Sequence, residues 1–279
     1  MISKLSIIER LCFSTVRIET KSKSGLNGSG TGFFFNLNTK KGIIPLIVTN
    51  KHVIQNMDDA TFILTRSSAE GMPEYTKHLR VDITGLQNKW IFHPNPDIDL
   101  CVFPFNPIFE AYKRNGIIPF YMPLDDTLIP TNSQSDSFDA VEDILMVGYP
   151  NGLWDHVNNM PLVRRGSSAT HYKLNFNNKS EFIIDSACFP GSSGSPILKC
   201  NIGSNRDKYG NIQLGTSSVF LLGILYAGPT LSVKGDILVE TVPNIHKELK
   251  PISSIPVNLG YVIKAERLRD FAVLFDAIT

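Results

Sequence analysis

This sequence predicts an all-β protein of two packed antiparallel units, and three observations carry that expectation. Short apolar runs, about four to eight residues each, follow one another from Val16 to Lys264, with Gly, Pro, Asn and Ser turns between them, as in barrels and sandwiches. At 279 residues and 42% apolar, the chain can bury two small cores or one large one. The stretch Pro123 to Ala140, rich in Pro, Asp, Ser, Thr and Asn, divides the runs into two groups.

Each element has its own signal. Leu5, Ile8 and Leu11 fall on one helical face, so a short amphipathic helix is expected from Ser3 to Leu11. Strands are expected at Val16–Glu19, Phe33–Asn36, Pro45–Thr49, Thr61–Thr65, Arg80–Thr84 and Leu100–Phe103. After the break they are expected at Ile144–Gly148, Val163–Arg165, Phe182–Ser186, Pro196–Leu198, Phe220–Leu225, Ile237–Val242 and Tyr261–Lys264. A closing helix fits Ala265 to Ala277, where Leu268, Phe271, Ala272, Leu274 and Phe275 make an apolar stripe suited to docking on the core. The organisation is a first unit over residues 1–122, a linker over 123–140 and a second unit over 141–279. No internal repeat or low-complexity tract interrupts it.

Composition excludes several function classes. The net charge is +1 with acids and bases interspersed, so the chain lacks the electrostatic footprint of a nucleic-acid or membrane-surface binder. No apolar run reaches the roughly 18 residues of a transmembrane helix. Met1 to Arg10 has neither a long apolar core nor a small-residue cleavage site, so a leaderless, cytoplasmic chain is expected. Cys12, Cys101, Cys188 and Cys200 lie in or beside apolar runs without CxxC spacing and read as free thiols. His78, His93, His156, His171 and His246 show no metal-ligand spacing and read as surface or structural residues.

Three motifs carry chemistry. In Phe189-Pro190-Gly191-Ser192-Ser193-Gly194-Ser195-Pro196, a serine follows a tight Gly-rich turn. A serine hydroxyl attacks only when a base takes its proton and donors stabilise the oxyanion. Glycines beside it let the backbone turn and bring N–H groups to a bound carbonyl. A histidine, His52, ends the run Ile43 to Val53. An aspartate opens the run Asp97-Ile98-Asp99-Leu100-Cys101-Val102-Phe103. The order is His, Asp, Ser, with spacings of 99 − 52 = 47 and 193 − 99 = 94 residues. Gly28 to Gly32 resembles a nucleotide loop only superficially, because Phe33-Phe34-Phe35 opens a strand where a helix would be needed.

These segments resemble the trypsin-like (chymotrypsin-fold) serine peptidases of the compact bacterial type, nearest in pattern to the HtrA and glutamyl-endopeptidase branches. Gly28-Ser29-Gly30-Thr31-Gly32-Phe33 resembles their "GSGTGF" hairpin, and Thr49-Asn50-Lys51-His52-Val53 their "TNAHV". Asp99-Leu100-Cys101-Val102 resembles "DLAV", and Gly191-Ser192-Ser193-Gly194-Ser195-Pro196 resembles "GNSGSP". The resemblance runs from about Val16 to about Ala265. It implies two antiparallel six-stranded β-barrels with the site at their junction, flanked here by an N-terminal and a C-terminal helix. It also implies endopeptidase cleavage by acyl transfer, with no metal or cofactor.

The roles carried over are these. Ser193 is the nucleophile, His52 the base and Asp99 the orienting carboxylate. Asp97 competes for that last role, but starting there would put the charged Asp99 where the pattern wants a small buried residue. The turn Gly191, Ser192 and Ser193 forms the oxyanion hole, with Gly191 and Ser193 as N–H donors. Ala187 forms the floor of the primary pocket, and Tyr226, Ala227, Gly228 and Tyr261 its walls, within a segment resembling "VGIVSWG". With no carboxylate at Ala187 and no histidine on the wall, the pocket should take small or medium apolar side chains. Gly148-Tyr149-Pro150 followed by Arg164-Arg165-Gly166 resembles an HtrA segment; those arginines can either reach the site or lie in solvent. Ser192 stands where trypsins have the aspartate that pairs with a new N-terminus, so no trypsin-style zymogen step is implied. Phe189 stands where secreted trypsins have a bridging cysteine, and only about 14 residues follow Ala265, too few for a PDZ domain. The partner implied is a protein or peptide substrate; a leaderless peptidase must be narrow in specificity or regulated, for instance by a protein partner. A catalytically silent binding scaffold and an esterase are the competing classes.

Overall fold

The computed structural model describes residues 5–150, 153–234 and 252–277. Nine strands form one sheet: β1 (Thr15–Lys21), β2 (Asn27–Thr39), β3 (Gly42–Thr49), β4 (Asp59–Ser67), β5 (Pro73–Thr84), β6 (Ile91–Phe92), β7 (Cys101–Pro104), β8 (Pro119–Phe120) and β9 (Leu124–Asp125). Its main path runs β5-β4-β1-β2-β3-β7-β6, with β8 against β4 and β9 parallel to β2. Phe62 on β4 packs against Phe103 on β7 at 6.0 Å and against Trp90 beside β6 at 6.4 Å, so the sheet curls until its two ends share one core. The first unit is therefore a curled nine-stranded sheet.

The second group holds β10 (Asp143–Gly148), β11 (Leu162–Ser168), β12 (Glu181–Asp185), β13 (Pro196–Asn201), β14 (Ser204–Arg206), β15 (Ile212–Leu214), β16 (Ser218–Ala227), β17 (Thr230–Lys234), β18 (Ile252–Pro256) and β19 (Leu259–Lys264). Six of them close a barrel in the order β10-β11-β12-β19-β16-β13. The pairs β14–β15 and β17–β18 form separate two-stranded ribbons. The strand expected at Ile237–Val242 lies outside the described residues.

The apolar runs are continuous rather than alternating because these strands are buried on both faces. On β2, Phe33, Phe35 and Leu37 enter a core shared with the barrel, while Phe34 enters the core inside the first sheet. On β3, Leu46 and Val48 face the shared core and Ile47 the inner one. The barrel repeats this: Leu145 and Val147 face the shared core, Ile144 and Met146 the barrel interior. The two β units thus pack through an apolar layer, and the strand ends bordering it converge.

Helices close the ends of that layer. The first, α1 (Ile7–Cys12), begins later than the expected Ser3. A capping box fixes its start: Ser6 Oγ accepts from the Glu9 N–H and Glu9 accepts from the Ser6 N–H. Short α2 (Lys51–Ile54) follows β3, and α3 (Asn106–Arg114), with Pro107 in its first turn, packs on the inner core. The segment expected as a linker is itself packed: Leu124, Ile129 and Phe138 are buried, and α4 (Asn132–Ser135) has a Thr131–Gln134 capping box. The closing helix is 3₁₀ from Ala265 to Asp270 and becomes α5 (Phe271–Ala277), with Leu268 and Phe271 in the shared core.

Candidate active site

Strand register brings the histidine to its carboxylate. β3 and β7 pair through Thr49↔Cys101, so the segments leaving these positions, toward His52 and back toward Asp99, run side by side. Asn50, fully buried at the end of β3, does not cap α2; its Nδ2 donates to the Asp99 carbonyl at 2.8 Å. The Asp99 carboxylate then takes two bonds from one residue. Its Oδ1 accepts the His52 backbone N–H at 3.1 Å, and its Oδ2 lies 2.6 Å from His52 Nδ1. A carboxylate oxygen only accepts, so Nδ1 is the donor here, and in the neutral ring Nε2 is then the atom that can accept a proton. Asp97 is exposed and its backbone N–H caps onto Asn95 Oδ1 at 2.9 Å, so of the two aspartates the structure brings Asp99 to His52.

The serine loop comes from the other side of the shared core, between β12 and β13. Phe189 to Ser192 make a tight turn in which the Ser192 N–H donates to the Phe189 carbonyl at 3.0 Å. Pro190 at the second position and Gly191 at the third, with φ +85°, match a type II turn. Gly194 follows with φ +87°, and a Cβ there would lie 1.9 Å from the Thr31 carbonyl, so only glycine fits. The consequence is chemical. Among the described residues, the Gly191 and Ser193 N–H groups donate to no protein acceptor, although Gly191 is buried and Ser193 half-buried. Unspent backbone donors at the edge of a low-dielectric layer suit an oxyanion. The N–H of Ser192, which lies between Gly191 and Ser193, is spent on the Phe189 carbonyl, so Ser192 belongs to the turn without offering a free N–H.

The first sheet holds this loop. The Thr31 N–H donates to the Ser193 carbonyl at 2.8 Å and the Thr31 hydroxyl to the Gly191 carbonyl at 3.0 Å. Thr31 is fully buried, and its hydroxyl also accepts the Tyr149 N–H at 3.0 Å. Its neighbour Gly30 lies so close to Val53 that a Cβ would meet that side chain at 2.6 Å. Adjacent residues of β2 therefore touch the His52–Val53 turn and the Ser193 loop, which sets the two on one border of the interface. No hydrogen bond joins Ser193 Oγ to His52 among the described residues. From the barrel, the Gly194 N–H donates to the Leu225 carbonyl at 2.8 Å, and the Leu225 N–H to the Ser195 carbonyl at 3.0 Å.

The wall residues continue from there. β16 pairs with β13 only as far as Pro196↔Ile224, but with β19 as far as Ala227↔Tyr261. Among the described residues, no strand pairs with the other edge of Tyr226 and Ala227, which leaves room there for an added strand. The Tyr226 and Tyr261 rings pack at 6.2 Å, and the Tyr226 hydroxyl donates to the buried Glu181 carboxylate at 2.6 Å. Burial and that carboxylate both push the Tyr226 phenol up in pKa. A cleft of about 650 Å³ opens between the Asp99 loop, Lys179, Glu181, Tyr226 and Arg267. Ala187 is half-buried, and its carbonyl accepts a hydrogen bond from Arg164, whose other terminal nitrogen donates to Ser192 Oγ at 2.9 Å. Arg164 therefore reaches the Ser193 loop, while Arg165 is exposed. Thr31 and Glu181 carry no sequence signal for these contacts, since each reaches a partner distant in the chain, and for Arg164 the sequence leaves both the site and solvent open.

Among the described residues, no three His, Cys, Asp or Glu side chains group closely enough to hold a metal ion. No described helix is long and apolar enough to cross a membrane. All four cysteines are free. Burial raises the Cys188 and Cys200 thiols to about 11. A raised pKa means less thiolate, roughly one part in a thousand at pH 8. Iodoacetamide at pH 8 should therefore leave Cys188 of the native chain unmodified, with the rate rising about tenfold per pH unit toward 11. Mass spectrometry showing rapid alkylation of native Cys188 at pH 8 would refute this and would point to an activated thiol beside the serine loop.

A model of the trypsin-like peptidase domain matches residues 30–203, more than half of the chain. The chain belongs to the trypsin-like peptidase family. Among solved structures it is similar to the active form of the Rv3671c protease from M. tuberculosis, at 13% identity and TM-score 0.44, covering 96% of this chain and 82% of that one. It is also similar to the MamO protease domain from Magnetospirillum magneticum, at 10% identity and TM-score 0.43, covering 94% of this chain and 97% of that one. Tobacco etch virus protease with bound product aligns at 13% identity and TM-score 0.47, covering 94% of this chain and 77% of that one. No curated protein matches the chain.

Proposed function

We propose that this trypsin-like peptidase is a serine endopeptidase working through an acyl-enzyme, with Ser193, His52 and Asp99 as its triad. The observation that carries the reading is the pair of bonds from His52 to Asp99, which fix the ring with Nε2 free on the border shared with the serine loop. Ser193 attacks the scissile carbonyl, His52 takes its proton, and the Gly191 and Ser193 N–H groups receive the oxyanion. His52 then protonates the leaving amine, and water repeats the sequence to release the acid. Fluorophosphonate labelling followed by peptide mapping tests it. Modification is expected at Ser193 and nowhere else; an unlabelled chain would support a silent scaffold, and cleavage of esters without peptides an esterase.

The substrate is a protein or peptide cut after a small or medium apolar residue such as Ala, Val, Leu or Met. Ala187 offers no carboxylate for Lys or Arg, and a cation buried without one is costly. A glutamate would lack a histidine partner on the wall; Arg164, which bonds the Ala187 carbonyl and Ser192 with two of its five N–H groups, is the cation it would have to reach. Each buried methylene should add about 0.8 kcal/mol of transition-state binding until the pocket fills. Profiling on a peptide library checks this; a dominant preference for Lys, Arg or Glu before the cut would refute it.

A further inference from the structure

Arg164 is a half-buried cation with no carboxylate partner among the described residues. It lies on β11, which pairs with β12 only at Ser167↔Asp185 and Ser168↔Ile184. Nearer its start, β11 is paired with β10 alone, so the Arg164 side chain can reach beneath the serine loop. Its two terminal nitrogens bond Ala187 and Ser192, and Nε is buried without a partner. No carboxylate pairs with it among the described residues, and burial lowers its pKa from the ordinary value. A guanidinium kept in such a place must hold something of value, and both its partners belong to one loop.

Those partners bracket the Phe189–Ser192 turn, one before it and one at its last residue. The turn has a ready alternative. Glycine accepts either sign of φ, so the Pro190–Gly191 peptide can rotate and convert type II into type I. That rotation would reverse the Gly191 N–H and remove one oxyanion donor. Thr31 fixes the Gly191 and Ser193 carbonyls from the first sheet, but it bonds nothing before Gly191. We propose that Arg164 is the positioning residue of the oxyanion hole: its fork ties Ala187 to Ser192 and keeps the turn in the form that presents the Gly191 N–H. A lysine could not bridge both acceptors with one planar group. The role rests on the peptidase reading above.

The test compares second-order rate constants for fluorophosphonate labelling of Ser193. Arg164→Met should label about a hundredfold more slowly, the size of losing one oxyanion donor, with little change in melting temperature. Arg164→Lys should recover only part of the rate, and Arg165→Met should match the wild type. Ser192→Ala should slow labelling less than Arg164→Met, and the double variant should be no slower than Arg164→Met alone. Arg164→Ala should regain rate with tens of millimolar guanidinium, roughly the range a cavity-bound cation needs, and not with equal sodium chloride. Should Arg164→Met fail to fold, Arg164→Lys and Ser192→Ala decide alone. Wild-type rates in folded Arg164→Lys and Ser192→Ala would overturn the proposal. An unlabelled wild-type chain is a different result, and it would overturn the peptidase reading itself.

Discussion

Replacing Ser193 by alanine is expected to abolish turnover and leave the fold intact. The hydroxyl is the nucleophile of the acylation step, and without it no acyl-enzyme forms for water to hydrolyse. Losses of about 10⁶ in kcat accompany removal of a triad serine in subtilisin, a different protein. The fold should not notice. Ser193 is half-buried and its Oγ makes no hydrogen bond among the described residues; the loop is held by backbone bonds from Thr31 and Leu225. A stability change within about 0.5 kcal/mol is expected. His52→Ala should cost a similar factor in kcat, and the double variant no more than either single one, because the residues act as a unit. Steady-state kinetics beside thermal melts decide the matter. A Ser193→Ala chain that keeps most of its activity would place the nucleophile elsewhere.

The same physics explains which parts of this molecule can be read from its sequence. A strand buried on both faces has to be apolar at every position, which is why the runs ending at Thr49 and beginning at Leu100 stand out. The residues just outside those runs, His52 and Asp99, stand out with them. The turn at Gly191 and Gly194 is legible for a related reason: a positive φ and a carbonyl 1.9 Å from a would-be Cβ leave glycine no substitute. Arg164 is different. Its guanidinium crosses to partners 23 and 28 residues away, and a long flexible side chain on a strand reads the same whether it meets solvent or a loop. The commitment of the Ser192 N–H to Phe189 is equally silent, because it depends on turn type rather than on residue identity. Pro123 to Ala140 misleads in the opposite way. Its polar composition suggests a loose connection, yet Leu124, Ile129 and Phe138 spaced along it are enough to fasten it down.

The two aspartates can be separated by one experiment with a large expected contrast. Asp99→Asn should lower kcat by roughly 10⁴, the size seen when a triad aspartate becomes asparagine. The reason lies in the two bonds that Asp99 accepts. Asparagine has one acceptor oxygen, and the His52 backbone N–H at 3.1 Å claims it. The amide NH₂ must then face Nδ1 from 2.6 Å, and that atom can accept only if it carries no proton. The ring proton moves to Nε2, where it blocks uptake of the serine proton. The fold should hold, since Asn50 still bonds the backbone carbonyl of residue 99. Asp97→Asn alters an exposed carboxylate whose backbone N–H already caps onto Asn95, and its effect on kcat should stay within about a factor of three. Steady-state rates for the two variants on one peptide substrate give the answer: a steep loss at Asp99 with a mild one at Asp97 is expected, and the reverse order would transfer the orienting role to Asp97.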